Sequence, residues 1–74
     1  MSNMEEIEAR KILGQRIRDI RTAKNLSMQA LANMAEIELS QIARIETAKI
    51  NPKVSTLFRI ARALEINPSE FFIS

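Results

Sequence analysis

The side chains best placed to do chemistry lie in residues 27–46, SMQALANMAEIELSQIARIE. Ser27 suits the cap of a short helix over roughly residues 28–35, and Glu36 and Ile37 suit a tight turn. A second helix from about Leu39 to Thr47 would turn Ile42 and Ile45 inward and leave a polar outer face. The chemistry open to such a face is hydrogen bonding and ion pairing rather than bond making. A helix presented this way fits the major groove of duplex DNA.

The rest of the composition argues against catalysis. Histidine and cysteine are both absent, which removes the commonest general base, thiol nucleophiles and most zinc ligand sets. The single glycine, Gly14, falls inside a helical pattern, so no glycine-rich loop can cradle a phosphate. Carboxylates and serines are present, but nothing groups them into a site. Neither an enzyme nor a bound cofactor or metal is expected.

The elements that must position the polar face follow from size and pattern. The 74 residues suffice for one small domain, taken as 1–74, with no ligand-sensing domain beside it. A hydrophobic fraction of 46% with one glycine and two prolines indicates an all-α fold with short connections. No apolar run is long enough for a membrane span, and no secretory leader is visible at the amino end. With no cysteine to pair, the expected location is the reducing cytoplasm. The net charge is +2, but setting aside Glu5, Glu6 and Glu8 leaves +5 on the remainder, a balance suited to a polyanion.

From about Met4 to Lys24 the pattern is helical, with Leu13, Ile17 and Ile20 on one stripe and the alkyl stem of Lys24 expected to cover its edge. Asn25 suits a left-handed terminator. In the next helix Leu31, Ala32 and Ala35 form a narrow inner face. Asn51-Pro52 breaks the pattern, and Val54–Leu64 reads as a fourth helix with Leu57, Ile60, Ala61 and Leu64 inward. Asn67-Pro68-Ser69-Glu70 is a start signal for a very short fifth helix holding Phe71, Phe72 and Ile73.

The segments LGQRIRDIR, NLSMQALANMAEI, SQIARIE, INP and STLFRIARALEI, in this order and spacing, resemble the Cro and phage-repressor type of helix-turn-helix domain, the XRE family. The resemblance covers roughly Leu13 to Phe72. It implies a five-helix, lambda-repressor-like fold in which Leu31, Ala32, Ile37, Ile42 and Ile45 pack the motif and the third helix is the recognition helix. Its base-contacting positions would be Leu39, Ser40, Gln41 and Arg44. Arginine can hold guanine through two parallel hydrogen bonds, glutamine can serve adenine, and leucine can meet a thymine methyl group. Phosphate contacts are expected from Ser27, Gln29, Thr47, Lys49, Asn51 and Lys53, which set position without reading sequence. In the family the positions of Arg21 and Glu46 pair across the first and third helices. The resemblance implies a transcriptional regulator of double-stranded DNA, acting as a homodimer on a palindromic operator. Small proteins of the family include phage repressors, restriction–modification controllers and antitoxins.

Several residues depart from the family pattern. Met28 replaces a glutamine that normally binds phosphate, and methionine has no N–H donor. Glu36 and Ala48 replace two glycines, so a left-handed backbone there would be strained by about 1 kcal/mol. Glu38 and Leu39 make the tip of the recognition helix less suited to DNA. These departures support one rival reading, a protein-interaction module of the same fold. Phe58, Phe71, Phe72 and Ile73 are expected to form an apolar dimer interface, since pairing supplies a second half-site.

Overall fold

In the computed structural model, residues 3–72 are described, and the side chains of residues 5–72. Four α-helices follow one another: α1 (Asn3–Ala23), α2 (Met28–Ala35), α3 (Leu39–Glu46) and α4 (Val54–Leu64). A 3-10 turn, Pro68–Phe72, closes the described chain. The fold is all-α, as the pattern predicts. The fifth element is a 3-10 turn rather than an α-helix, entered through the bond from the Glu70 amide to the Asn67 carbonyl, as is common for a segment of only a few residues. Asn67 holds it through its side chain, which accepts from the Ser69 amide at 2.9 Å.

The core joins all five elements. Ile17, Leu31, Ile42, Ile45, Ile60, Leu64 and Phe71 are essentially inaccessible to solvent. They come from α1, α2, α3, α4 and the 3-10 turn, so no element could leave without exposing apolar surface. Ile20, Leu26, Met28 and Ile37 pack partly buried around them. Lys24 lies in the turn just past α1, exposed, its amide still reaching the Ile20 carbonyl at 3.2 Å. Among the described residues no helix is long and apolar enough to cross a membrane.

One terminator is used four times. Asn25, Glu36, Ala48 and Glu65 have φ of 60°, 58°, 64° and 58°. In each case the following amide reaches back to a carbonyl in the helix: Leu26 to Arg21, Ile37 to Ala32, Lys49 to Arg44 and Ile66 to Ala61. This is the Schellman ending, which normally favours glycine at the left-handed position. Here none of the four is glycine, and only Asn25 is a residue that adopts it readily. The motif persists because the next residue anchors it: Leu26, Ile37 and Ile66 all pack on the core.

Arginines latch these turns to neighbouring elements. Arg59 of α4 donates to the carbonyl of Glu36 at 3.2 Å, and Arg10 of α1 donates to that of Ala48 at 3.2 Å. Arg16 donates to the Glu70 carbonyl at 2.9 Å, tying the 3-10 turn to α1.

Candidate nucleic-acid interface

The turn between α2 and α3 is built from both ends. Ser27 caps α2, its hydroxyl oxygen accepting from the Ala30 amide at 3.0 Å. Glu36 turns the chain in the left-handed conformation, and Ile37 returns it to the core. α3 then starts at Leu39 and buries Ile42 and Ile45 beneath it. Its opposite face carries Leu39, Ser40 and Arg44 exposed, with Gln41 half-buried. α3 ends at Glu46, one residue short of the predicted boundary, because Thr47 leaves helical geometry.

The far end of α3 is clasped to α1. Arg21 Nε donates to Glu46 Oε2 at 2.7 Å and Arg21 Nη2 donates to Glu46 Oε1 at 2.9 Å. The third nitrogen, Nη1, donates to the Leu26 carbonyl at 2.7 Å. One buried guanidinium thus joins the end of α1, the α1–α2 turn and the end of α3. Two parallel charge-assisted bonds fix orientation as well as distance. The hydrogen bonds that Arg21 donates to Glu46 raise its pKa despite desolvation, and an arginine stays charged in proteins in any case. Among the described residues no buried side-chain nitrogen or oxygen lacks a partner.

Gly14 is part of this clasp, although its spacing in the helix gives no hint of it. A Cβ there would stand 2.5 Å from the Ile45 carbonyl oxygen and 2.8 Å from that of Glu46. Glycine lets the backbone of α1 approach the last turn of α3 directly. The periodicity of α1 marks only side-chain stripes, so a backbone-to-backbone approach leaves no signal in it.

The remaining expected contacts surround α3. Lys49, Asn51 and Lys53 are exposed on the connection to α4. Neither α3, after Glu38, nor α4, after Lys53, has a side-chain cap, so their first-turn amides are not satisfied from within by a cap side chain. Ser27 keeps its hydroxyl proton for an outside acceptor, because the cap uses only its oxygen. Gln29 is exposed, with one amide hydrogen directed to Asn33. Thr47 donates its hydroxyl proton back to the Ala43 carbonyl at 2.7 Å, which occupies the donor a phosphate would need. Met28 lies partly buried against the core.

One expected interface residue is corrected. Phe71, placed by sequence at a dimer contact, is 1% exposed and belongs to the protein's own core. Two adjacent phenylalanines on a single 3-10 turn cannot face the same way, and the ring stacked inward is Phe71. Phe72 is 69% exposed and Phe58 55% exposed. Phe72 borders an apolar groove with Ile12 and Val54. Ile73 lies outside the described residues.

Residues 17–71 match the helix-turn-helix family HTH_3. The chain is 42% identical over 57 residues to the immunity repressor protein of Bacillus phage phi105, covering 77% of this chain and 40% of that protein. It is 34% identical over 59 residues to the HTH-type transcriptional regulator PuuR of Escherichia coli K12, covering 80% of this chain and 32% of that protein. It therefore spans less than half the length of these two relatives. Among solved structures, the restriction-modification controller protein C.AhdI of Aeromonas hydrophila superposes with a TM-score of 0.84 at 35% identity. That superposition covers 85% of this chain and 96% of the controller. The chain belongs to the helix-turn-helix family, whose members here are transcriptional regulators.

Proposed function

We propose that this chain is a sequence-specific DNA-binding transcriptional regulator that reads its operator with α3. The observation that carries the reading is the outward face of α3, held rigid by buried Ile42 and Ile45 and by the Arg21–Glu46 clasp. Arg44 and Gln41 address base edges, Ser40 a base or a phosphate, and Leu39 an apolar base edge. Ser27, Gln29, Lys49, Asn51 and Lys53 hold phosphates, and Lys53 stands where the α4 dipole also attracts an anion. Thr47 contributes less than the pattern implies, because its proton is already used.

The chain acts as a homodimer on a two-fold site, through Phe58 and Phe72 with the apolar groove beside them. Two exposed phenylalanines, one of them (Phe72) bordering a groove, offer the apolar surface that a self-complementary interface needs. The likeness to C.AhdI, a restriction-modification controller, over nearly all of that protein supports a regulator's role for this domain. Binding to chromosomal or phage DNA places it in the cytoplasm. It carries no catalytic activity.

Titration of a labelled duplex at rising salt tests the reading. The logarithm of affinity falls linearly with the logarithm of salt concentration, with a slope of several phosphates. Absence of duplex binding at low salt would overturn it in favour of a protein-interaction module. Sedimentation at micromolar concentration gives a dimer, and Phe72→Ser shifts it to monomer. A wild-type monomer at all concentrations removes the pairing.

A further inference from the structure

We infer that Glu38 is a specificity-determining residue that selects cytosine at one position of the bound DNA; the inference rests on the DNA-binding reading above. Glu38 is the N-cap of α3, immediately before Leu39 and Ser40 at the tip of the outward face. Its backbone is extended (φ −69°, ψ 143°) and its carbonyl accepts from the Gln41 and Ile42 amides. The short side chains of Ser, Thr, Asp and Asn at this position ordinarily turn back onto the helix amides. Glu38 does not: its side chain makes no cap bond, and it is exposed. Nor does it join an ion pair among the described residues. An acceptor-only group thus stands at the leading edge of the surface, without a partner among the described residues.

The chemistry of the groove decides what can meet it. An ionised carboxylate accepts hydrogen bonds and donates none. Phosphates repel it, and so do the O6 and N7 acceptors of guanine and the O4 of thymine. The only donors on the major-groove edge are cytosine N4 and adenine N6. Adenine places its N7 acceptor beside N6, where it faces the second carboxylate oxygen. Cytosine places a C–H beside N4, which suits both the carboxylate and the neighbouring Leu39. Glu38 therefore acts mainly by exclusion. Every base other than cytosine leaves a desolvated charge facing an acceptor, and such a mismatch rejects wrong sites more effectively than a match rewards the right one.

Selection of bound sites from random duplex DNA with the full chain, run in parallel on wild type, Glu38→Ala and Glu38→Gln, tests this. Wild type enriches cytosine at one position of each half-site, preferring it by roughly tenfold over thymine. Glu38→Ala loses preference at that position alone and binds non-cytosine sites more tightly than wild type does. Glu38→Gln moves the preference at that position toward adenine, since the amide now offers a donor to N7 and an acceptor to N6. Arg44→Ala, run alongside, alters a different position. Identical selected motifs for all three Glu38 forms, with Glu38→Ala merely tighter on every sequence, would overturn the inference while leaving DNA binding intact. No selected motif from wild type would overturn the DNA-binding reading itself, and this inference with it.

Discussion

Gly14 of α1 lies so near the end of α3 that a Cβ added to it would stand 2.5 Å from the carbonyl oxygen of Ile45. The obstructing atoms are backbone, which cannot swing aside as a side chain could. Alanine is the better helix former by about 1 kcal/mol, yet overpacking of a tight contact costs about 1–3 kcal/mol. Gly14→Ala is therefore expected to lose up to about 2 kcal/mol on balance, measured by urea unfolding. Because α1 would push the last turn of α3 outward, DNA affinity should fall with it. A more stable Gly14→Ala variant would contradict the close approach.

The Arg21–Glu46 clasp should behave as a unit. Removing either partner leaves a buried charge alone, at a cost of about 3–5 kcal/mol. A domain of this size is stable by only about 0.05–0.15 kcal/mol per residue, so either single alanine variant should lose a large fraction of its stability. The double variant Arg21→Met with Glu46→Leu should recover most of the loss. It would retain a deficit of about 1 kcal/mol from the Leu26 carbonyl that Arg21 no longer satisfies. Chemical denaturation of the set gives the coupling, and additive losses would contradict a shared contact.

The left-handed terminators offer stability that the natural sequence leaves unused. Glu36, Ala48 and Glu65 hold φ near 60°, which costs a residue with a Cβ about 1–2 kcal/mol. Glycine relieves that strain but loses more backbone entropy on folding. Glu36→Gly, Ala48→Gly and Glu65→Gly should each gain up to about 1 kcal/mol, seen as a higher thermal midpoint. Asn25→Gly should gain less, since asparagine tolerates this conformation. Losses at all four positions would mean that the turns relax in solution.

Much of this architecture is legible in the chain. Ser27 marks the start of α2, and Asn51-Pro52 marks the gap before α4, so both helices fall where the local signals put them. Apolar spacing likewise identifies Ile17, Leu31, Ile42, Ile45, Ile60 and Leu64 as core. What stays hidden is tertiary. Gly14 reads as a mildly unfavourable helix residue until α3 is seen against it. Arg10, Arg16 and Arg59 read as solvated charge until the carbonyls they latch are brought near. Phe71 and Phe72 are indistinguishable in sequence, and only the 3-10 geometry sends one inward and one out. The motif offers glycine positions at Glu36 and Ala48, but local rules cannot say whether the backbone or the residue type yields. Here the backbone holds, because Ile37 is anchored and Arg59 and Arg10 grip the turns.

The phosphate-facing set should separate cleanly from the base-facing one. Lys53 is exposed at the start of α4 and makes no cap bond there with its side chain. Lys53→Ala should weaken binding to selected and unrelated duplexes alike, and lower the salt slope by about one. A loss confined to the selected sequence would instead make Lys53 a base reader.

The most direct test compares wild type with Arg44→Ala on a selected duplex and on single-base variants of it. Arg44 is exposed on α3, and among the described residues no bond or ion pair of its side chain helps hold the fold together. The substitution should cost about 1–3 kcal/mol of specific binding and erase preference at one base pair, with the unfolding midpoint unchanged. Unaltered affinity and preference in a fully folded Arg44→Ala protein would contradict recognition by the outward face of α3.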